Sequence, residues 1–473
     1  MSKKIAKIFF VLSLIASLVL FVTIFVNGIF PQKYRLLLLV ILILFEIILF
    51  MLLKKENKVA IILIIVISSF LILINSFASY YILQGVNVIE SINENQKKEE
   101  KNFSLIVLKD SSYKNIDDVK NENIKVAINQ DKENIKSYEN LLSKEKNIKL
   151  NIENSKTYIN AAKELMAKKA NVILLNEAYR SIINDQIEGF DEKTRVIDIL
   201  TEEIDAKDIR KKVDKDISFN VFISGIDTYG QLSKVSRSDV NLILTINPKT
   251  GKMLITTIPR DSYVKIAGGG QNQEDKLTHA GIYGIESSVK TLENLFDIDI
   301  NYYARVNFST FMQVIDVLDG VDVYNNQAFS TEIYDFPEGT IHLDGQKALA
   351  FARERYSLKR GDLDRGLNQE KVLKAIIEKS LSPSMLLNYN SFLDIVINST
   401  DTNMQKDKII ELINGQIDSG KTWDIQTTEV TGVGQMGLKS FAMPDANLYM
   451  HVLDEKSIND VSKKIKNTIS GNE

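Results

Sequence analysis

The chain has 473 residues, 45% of them hydrophobic and 25% charged, enough for two or three domains. A formal net charge of −3 argues against a general nucleic-acid binder, which carries a strong basic excess. With no cysteine there is neither a disulfide framework nor a thiolate metal site. Three scattered histidines (His279, His342, His451) leave any metal to be held mainly by oxygen, the chemistry of magnesium, manganese or calcium.

Three apolar runs open the chain, at residues 8–26, 36–53 and 59–83. Each is near or above the roughly 18–20 residues that cross a bilayer as a helix. Two further runs follow the first at short spacing, so a cleaved leader is not expected. Lys3, Lys4 and Lys7 precede the first run and Lys54, Lys55 and Lys58 fill the second loop, against Lys33 and Arg35 in the first loop. That bias predicts a multi-pass protein of the cell membrane with a cytoplasmic N-terminus and everything after about residue 84 outside the cell. Glu46, the one acid inside a run, is a functional candidate. The plainer reading is a hydrogen bond between helices, to Ser68 and Ser69 at a similar depth in the third run.

Residues 85–101 are polar and charged, a linker or an exposed helix. Strand patterns follow at 103–109, 124–128, 147–152 and 171–175, with helical spacing at 157–168 and 177–185. Strands alternating with helices predict an open sheet, here a small α/β accessory domain over residues 85–215, a spacer or partner-binding element.

The chemistry is expected in residues 216–430. A strand at 219–226 ends at Asp227, and a polar loop carries Arg237, Ser238 and Asp239 to a strand at 240–247. The turn NPKTG leads into a strand at 253–258 that runs straight into Pro259, Arg260 and Asp261. Helices are predicted at 285–295, at 309–318 behind a serine cap, from Gly345 to the paired arginines Arg353 and Arg355, and at 365–381 capped by Asp364. Short strands fall at 302–306 and 321–324. The apolar positions of 308–318 suit a lipid-lining face and core packing equally. Arg365 and Gln369 stand four apart and so share one helical face. Only eleven arginines occur in the chain, and seven of them lie between Arg237 and Arg365. Arginine grips phosphate with a rigid fork of donors where lysine is a mobile point charge, so this concentration suits a phosphate site and a salt-bridged surface loop equally. Arg305 and Arg360 read instead as a structural pair and a solvated loop charge, and His279 and His342 as a contact within the domain and a turn residue. Residues 415–422, GQIDSGKT, fit the P-loop pattern, but a helix is predicted before them and a strand after, the reverse of what a P-loop requires. Residues 431–473 form a C-terminal extension, a glycine-bearing loop and a polar helix at 454–468.

Taken in order, GID at 225–227, RSD at 237–239, IPRD at 258–261, KLTHA at 276–280, FARER at 351–355 and DLDRGLNQ at 362–369 resemble the LytR–CpsA–Psr family. With three spans and a small extra domain, the chain looks most like the capsule-assembly members of that family in Gram-positive bacteria. The resemblance implies an α/β/α sandwich with a mixed central sheet. It also implies an enzyme that takes a polyprenyl-pyrophosphate-linked glycan, a capsular polysaccharide or similar wall polymer, and transfers the glycan phosphate to a hydroxyl of peptidoglycan. Carried over by motif, Asp227 and Asp239 would hold magnesium or manganese. Arg237, Arg260, Arg353, Arg355 and Arg365 would surround the pyrophosphate, with Gln369 assisting and Asp362 steadying the arginines. Of these, Arg237, Arg260 and Arg365 would act on the reacting phosphates, and Asp227 is a candidate base as well as a ligand. Expected partners are the lipid-linked glycan, peptidoglycan, the membrane and other capsule-assembly membrane proteins, with no nucleic acid. Two other classes share these features: a pyrophosphatase acting on lipid-linked diphosphates, and a non-catalytic membrane regulator of capsule assembly.

Overall fold

A computed structural model describes residues 3–28, 30–55, 57–95, 98–205, 209, 211, 217–226, 235–382, 392, 395 and 400–472; Asp227 lies outside them. The chain forms two compact units, Met1–Glu94 with Ser380–Asn398 and Met404–Thr422, and Asn95–Lys379 with Ser399–Asn403 and Trp423–Glu473.

The first unit is built on helices Lys3–Asn27, Gln32–Leu53 and Lys58–Asn95, each long and apolar enough to cross a membrane. The third continues to Asn95, so the polar stretch after residue 84 begins as helix. Glu46 accepts from Ser17 Oγ at 2.9 Å and Ser13 Oγ at 3.3 Å, while Asn75 Nδ2 donates to Ser17 Oγ at 2.9 Å. The partners expected for Glu46, Ser68 and Ser69, are therefore replaced by serines of the first helix, and Ser69 instead donates to Ile65 O in its own helix at 2.7 Å. The helix Lys406–Ser419 belongs to this unit: Asn414 Nδ2 donates to Gly28 O at 2.7 Å, and Lys33 pairs with Asp418.

The second unit holds two sheets. Strands β1 (Lys98–Leu108), β2 (Asn123–Val126), β3 (Asn151–Asn154), β4 (Val172–Asn176) and β5 (Thr194–Asp205) form the first, in the order β3-β2-β4-β1-β5. The three strands β3, β2 and β4 are parallel, and β1 runs antiparallel to both β4 and β5. Two elements here depart from expectation. The helix Lys132–Lys146 closes on Asn147 in the left-handed conformation (φ 54°), which delays β3 to Asn151. The edge strand β5 was not expected from sequence.

The second sheet runs β16-β11-β6-β7-β8-β17. Its core strands are β6 (Phe219–Ile226), β7 (Val240–Asn247) and β8 (Lys252–Thr257), an antiparallel series closed by the NPKTG turn. A short ribbon follows, β9 (Tyr263–Lys265) with β10 (Glu274–Lys276), and then β11 (Tyr302–Asn307), parallel to β6. Two further ribbons pair β12 (Val321–Asn325) with β15 (Gly339–Leu343) and β13 (Phe329–Ser330) with β14 (Asp335–Phe336). The edges are β16 (Asp401–Thr402), held by Arg305 Nε on Asp401 Oδ2 at 2.8 Å, and β17 (Asp424–Glu429), parallel to β8.

Side chains alternate across a strand. Leu254 of β8, with Phe222 and Ile243, packs under the helices Ile285–Phe296 and Glu455–Ser470 through Leu292, Phe296, Val461 and Ile465. Thr257, on the opposite face of β8, donates to Glu370 of the helix Asp362–Ser380 at 2.6 Å. The domain is thus an α/β/α sandwich with a mixed sheet, and the C-terminal residues are part of it: β18 (Gly432–Met436) pairs with β19 (Tyr449–Leu453) ahead of the last helix. Around 415–422 a helix precedes and β17 follows, opposite to a P-loop.

Two caps differ from expectation. Asn307, rather than Ser309, starts the helix Phe308–Val317 by accepting from Thr310 N at 2.9 Å. The helix expected to begin behind Asp364 starts at Asp362, and Asp364 instead accepts from Arg360 N at 2.9 Å and Arg360 Nε at 2.8 Å. His342 lies on β15 and its ring meets Asp322 at 2.8 Å.

The two sheets share apolar packing. The core of the first, with Phe103, Tyr138 and Tyr158 at its centre, extends into Val235, Ile282, Ala442 and Met443. Gln130 Nε2 donates to the carbonyls of Phe441 at 3.2 Å and Ala442 at 3.0 Å. Asp275 holds the same turn, accepting from Ser440 Oγ at 2.7 Å and Ala442 N at 2.9 Å while pairing with His279 at 2.8 Å.

Candidate functional site

Because β6 and β8 run parallel and β7 runs against them, the chain leaves β6 and β8 at the same edge at which it enters β7. Asp239 immediately precedes β7, and Arg260 stands three residues past β8. The helix Asp362–Ser380 brings its first turn to this edge: a Cβ on Gly366 would lie 3.1 Å from Thr257 Cγ2 at the end of β8. Topology therefore gathers residues more than a hundred positions apart.

Asp239 is the anionic centre. Its Oδ1 accepts from Arg260 Nη1 at 2.7 Å and Thr278 Oγ1 at 3.0 Å, and Asp239 N donates to Gly225 O at 2.8 Å. Burial pushes its pKa up, but the guanidiniums of Arg260, Arg237 and Arg365 outweigh that and hold the carboxyl well below the usual range. Asp362 is the second anion, paired with Arg365 and 3.7 Å from Arg260 Nε. There burial wins over Arg365, and the Asp362 carboxyl titrates above its ordinary value. Asp261 pairs with Lys276 at 2.8 Å and lies 4.0 Å from Arg260 Nε.

The donors are as telling as the pairs. Arg237, Arg260 and Arg365 are nearly buried, with side chains 11%, 14% and 11% exposed. In each, Nε is shut off from solvent and has no hydrogen-bond acceptor among the described residues. A guanidinium edge buried without an acceptor costs free energy unless a ligand supplies one. Three such edges around one cluster suit an anion with many oxygens.

The other predicted residues divide. Arg355 is close enough to act on both Asp362 and Arg365, with its guanidinium over the Tyr356 ring at 4.6 Å. Arg353 is exposed and stacks on Phe308 at 4.3 Å from the ring centroid. Gln369 Nε2 donates to Ala352 O at 3.2 Å, so it braces the end of the preceding helix. Asp227 follows β6 directly in sequence and lies outside the described residues. Two residues were not anticipated. Asp185 of the accessory domain pairs with Arg237. His451 is buried beside Asp261 and Asp362 with neither ring nitrogen bonded among the described residues, and burial lowers its pKa against the pull of those carboxylates.

As to a metal, no cluster of three or more His, Cys, Asp or Glu forms among the described residues. Asp239 nonetheless fits a hard divalent cation: it is anionic, and its Oδ2 takes no hydrogen bond among those residues. One or two carboxylates completed by phosphate oxygens is the coordination magnesium favours.

Residues 179–467 match the profile described as the LytR_cpsA_psr family, more than half of the chain, and the protein belongs to that family. A second profile, DNA polymerase processivity factor, matches residues 54–175, a range that begins ahead of the third apolar helix and ends inside β4, short of β5. The chain is 35% identical over 266 residues to the polyisoprenyl-teichoic acid–peptidoglycan teichoic acid transferase TagU of Oceanobacillus iheyensis, covering 55% of this chain and 78% of that one. It is 32% identical over 272 residues to TagU of Bacillus subtilis, covering 55% and 83%. The crystal structure of B. subtilis TagV superposes with a TM-score of 0.46 at 28% identity, over 54% of this chain and 99% of that one.

Proposed function

We propose that the chain is a wall-polymer transferase that takes a glycan phosphate from a polyprenyl-pyrophosphate carrier and joins it to a peptidoglycan hydroxyl. The observation that carries this reading is the set of three buried Nε donors of Arg237, Arg260 and Arg365, without an acceptor among the described residues, around Asp239 and Asp362. Family membership and the teichoic acid transferases among its relatives support the reaction class. Three apolar helices and an accessory domain ahead of the family domain resemble its capsule-assembly members, which supports a capsular polysaccharide or a similar polymer as the cargo.

In the reaction the acceptor oxygen bonds to the phosphorus that bears the glycan. The bond from that phosphorus to the bridging oxygen breaks, polyprenyl phosphate leaves with the bond's electron pair, and the hydroxyl proton passes to that phosphate or to water. Such a transfer needs in-line positioning and stabilisation of charge on oxygen, and little covalent help. Arg237, Arg260 and Arg365 supply donors for the non-bridging and leaving oxygens, Arg355 adds charge at the rim, and Asp362 keeps Arg365 in place. Asp239, with Asp227, would hold magnesium, which would neutralise phosphate charge when bound. The lysine bias of the N-terminal loops supports a cytoplasmic N-terminus. The contacts of Asn414 with Gly28 and of Asp418 with Lys33 place the Met404–Thr422 segment at the loop between the first two helices, which would be the outer side.

The test is release of polyprenyl phosphate from a lipid-pyrophosphate-linked glycan by the full chain in detergent, with and without magnesium and peptidoglycan oligomer. Release with glycan joined to peptidoglycan, lost in Asp239→Ala and Arg365→Ala, is expected. Release indifferent to the acceptor would make the protein a pyrophosphatase. Silence with the lipid shown to bind would leave a regulator.

A further inference from the structure

Asp185 lies in the helix Arg180–Gln186 of the accessory domain, and its carboxylate accepts from Nη1 of Arg237, 52 residues further along the chain. Each end of this contact is fixed independently. On the accessory side Ile182 and Ile183 are fully buried, and Asn184 Nδ2 donates to Asp191 at 2.6 Å. On the other side Ser238 N donates to Thr278 O at 3.2 Å and Asp239 N to Gly225 O at 2.8 Å. The same loop lies directly on Gly281, where a Cβ would be 2.5 Å from Ser236 O. What remains to be oriented is the Arg237 side chain. A guanidinium is a planar fork, so anchoring Nη1 sets the direction of Nε–H, and that Nε is buried with no acceptor among the described residues.

We propose that Asp185 is a positioning residue: it holds the Arg237 guanidinium with its unoccupied Nε edge toward the pyrophosphate, so that the accessory domain completes the active site. This rests on the reading of the site as a pyrophosphate cradle. Asp185 also competes with Asp239, which Arg237 already influences electrostatically. Without Asp185, Arg237 collapses onto Asp239 and takes up the Oδ2 that a ligand or cation would use. The proposal gives the accessory domain a role in substrate binding beyond that of a spacer.

The experiment uses the full chain in detergent, with two readouts: transfer from polyprenyl-pyrophosphate-linked glycan to peptidoglycan oligomer, and calorimetric affinity for geranyl pyrophosphate. Misplacing a binding group by about 1 Å costs up to ~10²-fold. With Asp185 half exposed, Asp185→Ala is expected to lower kcat/KM and pyrophosphate affinity about ten-fold, mostly through KM. Asp185→Glu should recover most of that loss, and Asp110→Asn, at an accessory-domain surface pair with Lys168, should match wild type. Adding Asp185→Ala to Arg237→Ala should change nothing further. The inference is overturned if Asp185→Ala binds and turns over like wild type, if the two losses multiply in the double variant, or if the loss tracks a lowered melting midpoint that Glu does not restore. A wild type that binds geranyl pyrophosphate without transferring glycan sinks the transferase reading alone, and the affinities then decide the role of Asp185. A wild type with no affinity for it overturns both.

Discussion

Arg260 Nη1 and Asp239 Oδ1 meet at 2.7 Å, joining the residue that follows β8 by three to the one that precedes β7. The pair ties two strand ends together and fixes the orientation of a guanidinium that also reaches toward Asp261 and Asp362. Removing one partner of a buried pair leaves the other uncompensated. Asp239→Asn is expected to destabilise the protein by about 3 kcal/mol and to cut transfer by at least ~10²-fold. The checks are a melting curve and the transfer assay on the same preparation.

Asp362 should behave differently. Burial raises its pKa despite Arg365, so folding penalises its ionised form relative to the neutral one. Asp362→Asn, the isostere of the neutral form, is expected to leave stability within about 1 kcal/mol of wild type. It should still lower kcat/KM by about ten-fold, because Arg365 loses its partner. A collapse of the melting midpoint would refute this.

The pH dependence follows from the signs. Asp239 has a depressed folded pKa, so its stabilising contribution is complete above the unfolded value of about 3.9 and is lost only as pH falls below it. Asp362 has a raised one: its ionisation lowers stability as pH climbs from about 3.9 through its folded value, and its protonation on the acid side releases Arg365. An acid limb of kcat/KM is therefore expected from Asp362; measured from about pH 4 to about pH 8, it should flatten in Asp362→Asn.

Gly281→Ala tests the seat of the RSD loop. The added Cβ would fall 2.5 Å from Ser236 O and 2.7 Å from Ser238 N, both main-chain atoms. The loop must shift, with a cost of about 1–3 kcal/mol and a loss of transfer from displacement of Arg237 and Asp239. Retained activity would show that the loop can move without consequence.

Glu46→Ala removes the acceptor shared by Ser13 and Ser17. A loss of about 1 kcal/mol in the full chain is expected, while Glu46→Gln, which keeps an acceptor, should be near wild type in stability and transfer. Transfer lost in Glu46→Gln with an unchanged melting midpoint would make Glu46 functional.

Much of this was legible in the sequence. The strands flanking Asp239 and Arg260 are continuous apolar runs and the arginines are conspicuous in a lysine-rich chain, so the strands and a concentration of phosphate-gripping side chains could be read from the residues, while the α/β/α sandwich came from the family resemblance. The helix Lys132–Lys146 escaped because Ile135, Tyr138 and Leu142 are its only buried positions in an otherwise polar segment. The edge strand β5 escaped because its apolar residues are interleaved with acids, and Val196 and Ile199 remain exposed. Ser13 and Ser17 could not be matched to Glu46 from depth alone, since that depends on which helix packs against which. Asp185 carried no signal: its partner lies 52 residues away in another domain, and only folding brings them together.

The turn at 440–443 is gripped from both sides, by Gln130 through the carbonyls of Phe441 and Ala442 and by Asp275 through Ser440 and Ala442. Cutting the polypeptide near residue 215 would strip away Gln130 and bare Val235, Ile282, Ala442 and Met443 to water. The chemistry is therefore not a portable module. The two sheets should melt in one cooperative transition, and a fragment carrying every arginine of the cradle would be sticky and poorly folded unless the first sheet travels with it.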